Sequence, residues 1–148
     1  MITEDYVSFE VAKLLRDKGF DAGCRYYYIQ TGEMFEIDTR FHTVLTTQEL
    51  LNLQIVGEKE ERCVAPTLQM AMKWLREVHN IHTEICLYKT NEDDIETKKS
   101  KKAPYYIFGV WDTVTGNIVD KRLTNDFIGD TYEEACEAAI KYCLENLI

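Results

Sequence analysis

Two stretches of helically spaced apolar residues bracket a β-rich run, and this constrains the chain more than any other feature. Leu68, Ala71, Met72, Leu75 and Val78 recur with the i, i+3, i+4, i+7 spacing of one helix face. Met70 and Trp74 widen the stripe, which implies burial on more than one side. Pro66 suits a helix start and Thr67 can cap it. Asn80 tolerates the left-handed conformation that ends a helix, so the element should stop at His79-Asn80. A second helix, capped by Asp130 or Thr131, is expected through Leu147. Its face is Tyr132, Ala135, Cys136, Ala139, Ile140, Cys143, Leu144 and Leu147. Between the two, IHTEICLY alternates as a strand does, and YYIFGVWDTVTGNIVDKRL carries two β-rich runs around the turn chemistry of Val114-Thr115-Gly116-Asn117. Both helices need apolar cover, and one sheet face can supply it to both. The expectation for residues 63–148 is therefore an αβββα two-layer sandwich with an antiparallel sheet, in an α+β fold.

Residues 1–62 are read as an N-terminal helix-hairpin lobe packed on the rest. Val7, Val11, Leu14 and Leu15 set a helix over 8–18, and Gly19 stops it. CRYYYIQ is a strand, Thr31-Gly32 a turn, and EMFEI its partner. Residues 40–45 form a third short strand in this reading. Thr46 and Glu49 have capping-box spacing, which starts a short helix over TQELLNLQ. The charged run EKEER, 58–62, is the natural joint. A lobe of about 60 residues is marginal alone, so it should pack against its neighbour. At an offset of 60, Lys13, Leu15, Arg16 and Asp17 align with Lys73, Leu75, Arg76 and Glu77. Any two amphipathic helices reach such an echo easily.

Composition narrows the function classes. The 148 residues are 45% hydrophobic and 29% charged, ordinary for a folded domain, which excludes collagen-like and disordered chains. Net charge is −9. Residues 1–64 hold seven cations against twelve acids, and 65–148 hold ten against fourteen. Neither half offers the excess of Lys and Arg that phosphate neutralisation needs. The start, MITEDYVSFE, has neither the basic nor the apolar segment of a signal peptide. The longest apolar run, 105–111, is too short for a membrane span of about 20 residues. Five cysteines, with no C-x-x-C pair, point to reduced thiols in a cytoplasmic protein.

Few residues form a chemical constellation. His79 and His82 straddle a helix end and a strand start, which spoils a shared face for metal, and His79 suits the helix dipole instead. No metal or cofactor is called for. Cys136 and Cys143 lie on an apolar face, where burial dulls a thiol. Cys86 shares a strand face with Glu84, and Cys24 and Cys63 border polar segments and read as the accessible thiols. Glu92-Asp93-Asp94 lacks calcium-loop spacing. The neighbouring lysines 98, 99, 101 and 102 share their loop with four acids, which makes it a solvated hairpin loop. Aromatics cluster at Tyr26, Tyr27, Tyr28 and at Tyr105, Tyr106, Phe108, Trp111. Tyr26 and Tyr28 should share one strand face and Tyr27 the other, leaving at least one ring exposed. Exposed Tyr beside Arg25 makes a contact patch, since both types are enriched at interfaces. The candidate interaction residues are Arg25, Tyr27, Tyr105, Glu133, Glu134 and Glu137.

Helix, three antiparallel strands, helix is also the order of the double-stranded RNA-binding domain, and YEEACEAAIKYCLENL has the A-x-x-A-A spacing of that family's last helix. That family sets lysines at the start of this helix. Here Asp130, Glu133, Glu134 and Glu137 stand there and repel phosphate. In APTLQMAMKWLREVHNIH, DYVSFEVAKLLRDKGFD and DTYEEACEAAIKYCLENLI, the chain resembles a group of small proteins of Bacteroides-type gut bacteria, often carried by prophages and mobile elements. The second half is similar in layout to the phage ABA sandwich domain. The resemblance transfers no chemistry or functional residue. It leaves 31–62 and 89–104 as the regions where individual specificity would sit.

The leading expectation is a non-enzymatic protein-interaction module of prophage or mobile-element origin. Its partner would be a protein rather than nucleic acid or membrane, and self-association stays open. One alternative is an acidic decoy that occupies a nucleic-acid-binding host protein, using acids of 131–147 and 92–96. Another is a small hydrolase or thiol enzyme with Cys24 or Cys63 near His42.

Overall fold

The computed structural model describes residues 3–53, 61–88, 104–119 and 129–148. They form a small α+β fold with two antiparallel sheets, one of three strands and one of two. No helix among them is long and apolar enough to cross a membrane.

Helix α1 (Phe9–Asp17) starts where Ser8 accepts from the Val11 amide and ends before Gly19, whose φ of 86° suits glycine. It buries Val11, Ala12 and Leu15. Strands β1 (Tyr26–Tyr28) and β2 (Met34–Glu36) make the expected hairpin, with Tyr27 opposite Phe35. The expected strand over 40–45 does not form. The Asp38 carboxylate accepts from the Arg40 amide, and the Phe41 and His42 amides fold back onto the Asp38 carbonyl. These local bonds curl the backbone away from extension, and only Leu45 bridges, to Cys24. Helix α2 (Thr47–Asn52) carries the Thr46–Glu49 capping box.

Strand β3 (Cys63–Ala65) is entirely buried and pairs antiparallel with β1, giving the order β2-β1-β3. It begins where the charged run ends. Helix α3 (Leu68–His79) has Thr67 as its cap and Asn80 at φ 57° after it. Leu68, Ala71, Met72, Trp74 and Leu75 are buried. Val78, expected in the core, is 56% exposed. Trp74, one turn earlier, is buried and packs on Phe20 and His79.

Strands β4 (Ile81–Tyr88) and β5 (Tyr105–Asp112) pair along eight residues. The run after the 113–117 turn contributes a bridge from Ile118 to Trp111 and a bond from the Val119 amide to the Val110 carbonyl. Its continuation, all but the last residue of the loop expected at 89–104, and the first part of the charged run lie outside the described residues. Helix α4 (Tyr132–Asn146) is capped by Thr131, with Glu134 completing a capping box. Ala135, Cys136, Ala139, Ile140, Cys143 and Leu144 are buried as expected; Tyr132 is exposed and Leu147 half-buried.

Side chains from α1, α2, α3 and α4 enter one hydrophobic cluster, from Leu15 and Leu50 to Leu75 and Ile140. Helix α4 also holds α1 through polar contacts. The Glu137 carboxylate accepts from the Ser8 amide at 3.1 Å, and Lys141 pairs with Glu10 at 2.8 Å.

Gly129 exchanges both backbone hydrogen bonds with Tyr106, and a Cβ there would lie 3.0 Å from the Ala135 nitrogen. That neighbour is backbone and cannot swing aside. Gly129→Ala should lower stability by about 1–3 kcal/mol, read as a lower urea midpoint, whereas Val114→Ala on the exposed turn should leave it unchanged.

Candidate functional site

The three-stranded sheet has two different faces. Tyr26 and Tyr28 look toward the N-terminal segment: the Tyr28 hydroxyl donates to the Val7 carbonyl at 2.7 Å, and the Tyr26 ring meets Tyr6. Tyr27 and Phe35 lie on the opposite face, with ring centroids 6.0 Å apart. All three tyrosines of β1 are half-buried, so the expectation of an exposed ring fails because each face is partly covered.

On the Tyr27 face the cover is α2 and the turn-rich segment 38–45, and it is incomplete. A cleft of about 270 Å³ remains. Ile37, Leu45 and Leu50, all buried, form its apolar floor. Tyr27, Phe41 and Leu53 wall it, and Asp38, His42 and Arg62 supply its polar groups. Gly23 lets the covering segment come close, since a Cβ there would meet Val44 Cγ2 at 2.8 Å.

The polar groups are not equivalent. Arg40 holds Asp38 in a fork, Nε to Oδ1 at 3.0 Å and Nη2 to Oδ2 at 2.6 Å, and these bonds lower the Asp38 pKa. Glu49, beside His42, is likewise held below its ordinary pKa, first by the Thr46 amide and then by its hydroxyl. The half-buried Arg62 places its guanidinium carbon 6.0 Å from the Tyr27 ring centroid. Outside the floor, apolar side chains stand in solvent: Phe41 is 76% exposed, Leu53 50%, Val44 49% and Phe35 44%.

Of the six residues read from the sequence as an interaction surface, two meet at this sheet. Tyr27 lines the cleft, and Arg25 is exposed on the same strand's approach, paired with Glu36. Tyr105 is 7% exposed, packed on Tyr88, and is therefore not a surface residue. Glu133 is exposed, Glu134 closes its own helix cap, and Glu137 caps α1. Apart from His42, which the sequence singles out only beside the thiols, the rest of the cleft was missed, since its residues are scattered from 27 to 62 with no common spacing. The usable signal was Phe41, Val44 and Leu53, large apolar residues in otherwise polar stretches.

Two of the thiols fall differently from their sequence reading, whereas Cys136 and Cys143 are buried as expected. All five are free, and Cys24 and Cys63 are buried rather than accessible, one bridged by backbone to Leu45, the other inside β3. Burial pushes Cys24 to about 12 and Cys63 to about 11, against an ordinary value of 9.0. Cys136 rises to about 11 and Cys143 to about 12 for the same reason. His42 is exposed at the cleft. His79 packs edge-on against Trp74, whereas His82 is exposed on β4. Among the described residues, no three His, Cys, Asp or Glu side chains converge as a metal-binding group.

No family model matches the chain, and neither a curated protein nor a solved structure matches it.

Two measurements follow from the thiols. Native alkylation near pH 8 should modify Cys86 first, with the other four protected until denaturant is added, as peptide mass spectrometry would read. A folded thiol with a raised pKa keeps its proton while the unfolded one loses it, so stability is full below pH 9 and falls as pH rises toward 11–12. The urea midpoint should drop across that window, and less steeply in Cys143→Ala. A flat profile from pH 8 to 11 would count against buried, protonated thiols.

Proposed function

We propose that this protein is a non-enzymatic interaction module that engages a protein partner through the cleft and its apolar rim. The observation that carries the reading is the exposure of Phe41 and Leu53 on the walls of an apolar floor, with Phe35 exposed against Tyr27 and Val44 exposed on the covering segment. Contiguous exposed apolar surface is costly in water, and where it rims a concavity it marks contact sites. Aromatic anchors over a pocket are the usual centres of binding energy. The free thiols support a reducing compartment, in keeping with a cytoplasmic protein. The sequence resemblance supports an origin in a prophage or mobile element.

The alternatives have less support. A phosphate-mimicking decoy needs its acids free, but Glu134 and Glu137 spend their carboxylates on helix caps. A thiol enzyme needs a thiolate, and burial keeps Cys24 and Cys63 protonated at neutral pH.

Affinity capture from the native host, quantified by mass spectrometry, should recover a partner with the wild type. Phe41→Ser with Leu53→Ser should weaken that recovery by about tenfold or more, while Val114→Ser on the distant turn should not. Equal recovery by both variants would overturn the reading.

A further inference from the structure

The three-stranded sheet ends in an open edge at β2. We propose that a second copy of this chain pairs with that edge, β2 antiparallel to β2 about a two-fold axis, so that two sheets become one. This goes beyond partner capture at the cleft, because the surface is the β2 backbone with Phe35 rather than the walls Phe41 and Leu53.

Hydrogen-bond parity is the first constraint. Along an antiparallel pair, residues that exchange both backbone bonds alternate with residues whose groups face away. The Ile29 amide donates to the Glu33 carbonyl and the Ile37 amide to the Arg25 carbonyl, so the odd-numbered residues here bond to β1. The N–H and C=O of Met34 and Glu36 therefore point off the edge, where no strand lies among the described residues. All of β2 is exposed. Such an edge is a template for another strand.

Symmetry then selects the register. Outward groups must meet outward groups, which leaves a two-fold axis at Met34, Phe35 or Glu36. An axis at Met34 sets Glu36 against Gly32, whose amide already donates to Ile29 in the turn. An axis at Glu36 sets Met34 against Asp38, whose carbonyl already accepts from Phe41 and His42, and brings like-charged Glu36 side chains opposite each other. Only the axis at Phe35 is unobstructed. Met34 of each copy then lies opposite Glu36 of the other, and each such pair exchanges both backbone bonds. The two Phe35 residues meet at the closer, non-hydrogen-bonded spacing of about 4.5 Å. Phe35 already stacks on Tyr27 at 6.0 Å within one copy, so the joined sheet carries a continuous ring row, Tyr27–Phe35–Phe35–Tyr27. Aromatic neighbours across strands are favourable. Three strand residues a side fall far short of the about 20–30 in a standard interface, so the dimer is weak. Each copy carries −9, so salt should tighten it by screening.

Sedimentation equilibrium of the full chain should show monomer–dimer exchange with a Kd of about 0.1–1 mM, lower at high salt. Amide shifts of the wild type should move with concentration at Met34, Phe35 and Glu36. Phe35→Lys and Phe35→Glu should each weaken association by about tenfold or more, since like charges then meet at the axis. An equimolar mixture of the two variants should associate again, a rescue that a foreign strand on this edge would not give. A wild type still monomeric at about 1 mM, concentration-dependent shifts away from β2, or a mixture no better than either variant each overturn the proposal. Should a variant lose its folded spectrum, the wild-type concentration series decides alone. Partner capture through Phe41 and Leu53 would survive any of these results, so the two readings fail separately.

Discussion

The structure hangs on one buried segment of backbone, residues 63–68. Cys63, Val64, Ala65 and Pro66 are all buried, so their peptide groups must find partners inside the protein. Strand β1 pairs with the first three. Pro66 has no N–H to place, and its carbonyl accepts from the Val7 amide at 3.0 Å; the Leu68 amide donates to Asp5 at 2.9 Å. Thr67 then caps α3. Thus one short segment joins the N-terminal segment, the three-stranded sheet and the central helix. An apolar side chain such as Val64 adds about 1.5–3 kcal/mol by its burial, but the larger constraint is that none of these groups can turn to water instead.

The cleft follows from unequal cover of that sheet. One face meets the N-terminal segment and α1, which reach across it from Tyr6 to Leu15. The other face receives α2, whose six residues span about 9 Å, and a segment held in turns by its own aspartate. A helix that short can bury Leu50 but cannot roof the sheet. The exposed Phe41, Val44 and Leu53 are what a complete second layer would have hidden.

Local signals in the sequence proved the most informative. Ser8, Thr46 with Glu49, Thr67, Asn80 and Thr131 mark helix ends because each acts on backbone within a turn of itself. Helical spacing likewise identifies the buried faces of α3 and α4, save at Val78 and Tyr132, which stand exposed, and at Leu147, which is half-buried. Strand β3 was illegible: three residues carry too little periodicity, and the charged run before them reads as a surface joint. Residues 40–45 failed for the opposite reason, since their β-forming types were overruled by the side chain of Asp38. The cleft needed both of these, the hidden strand and the curled segment, before any list of its residues could be drawn up. Burial of Cys24 and Cys63 was equally out of reach, because flanking polarity says nothing of which way a strand faces.

The bonds between α1 and α4 have a consequence for synthesis. The Ser8 amide and Glu10 find their partners in Glu137 and Lys141, about 130 positions later. Helix α1 has its own cap in Ser8 but lacks these contacts with α4 until residues 137–141 have been synthesised. Contacts so remote in sequence slow folding, and until α4 forms, the side of α1 that meets it stays uncovered. Helix α4 is thus the clasp of this fold, since α1 reaches its final packing only once α4 has formed.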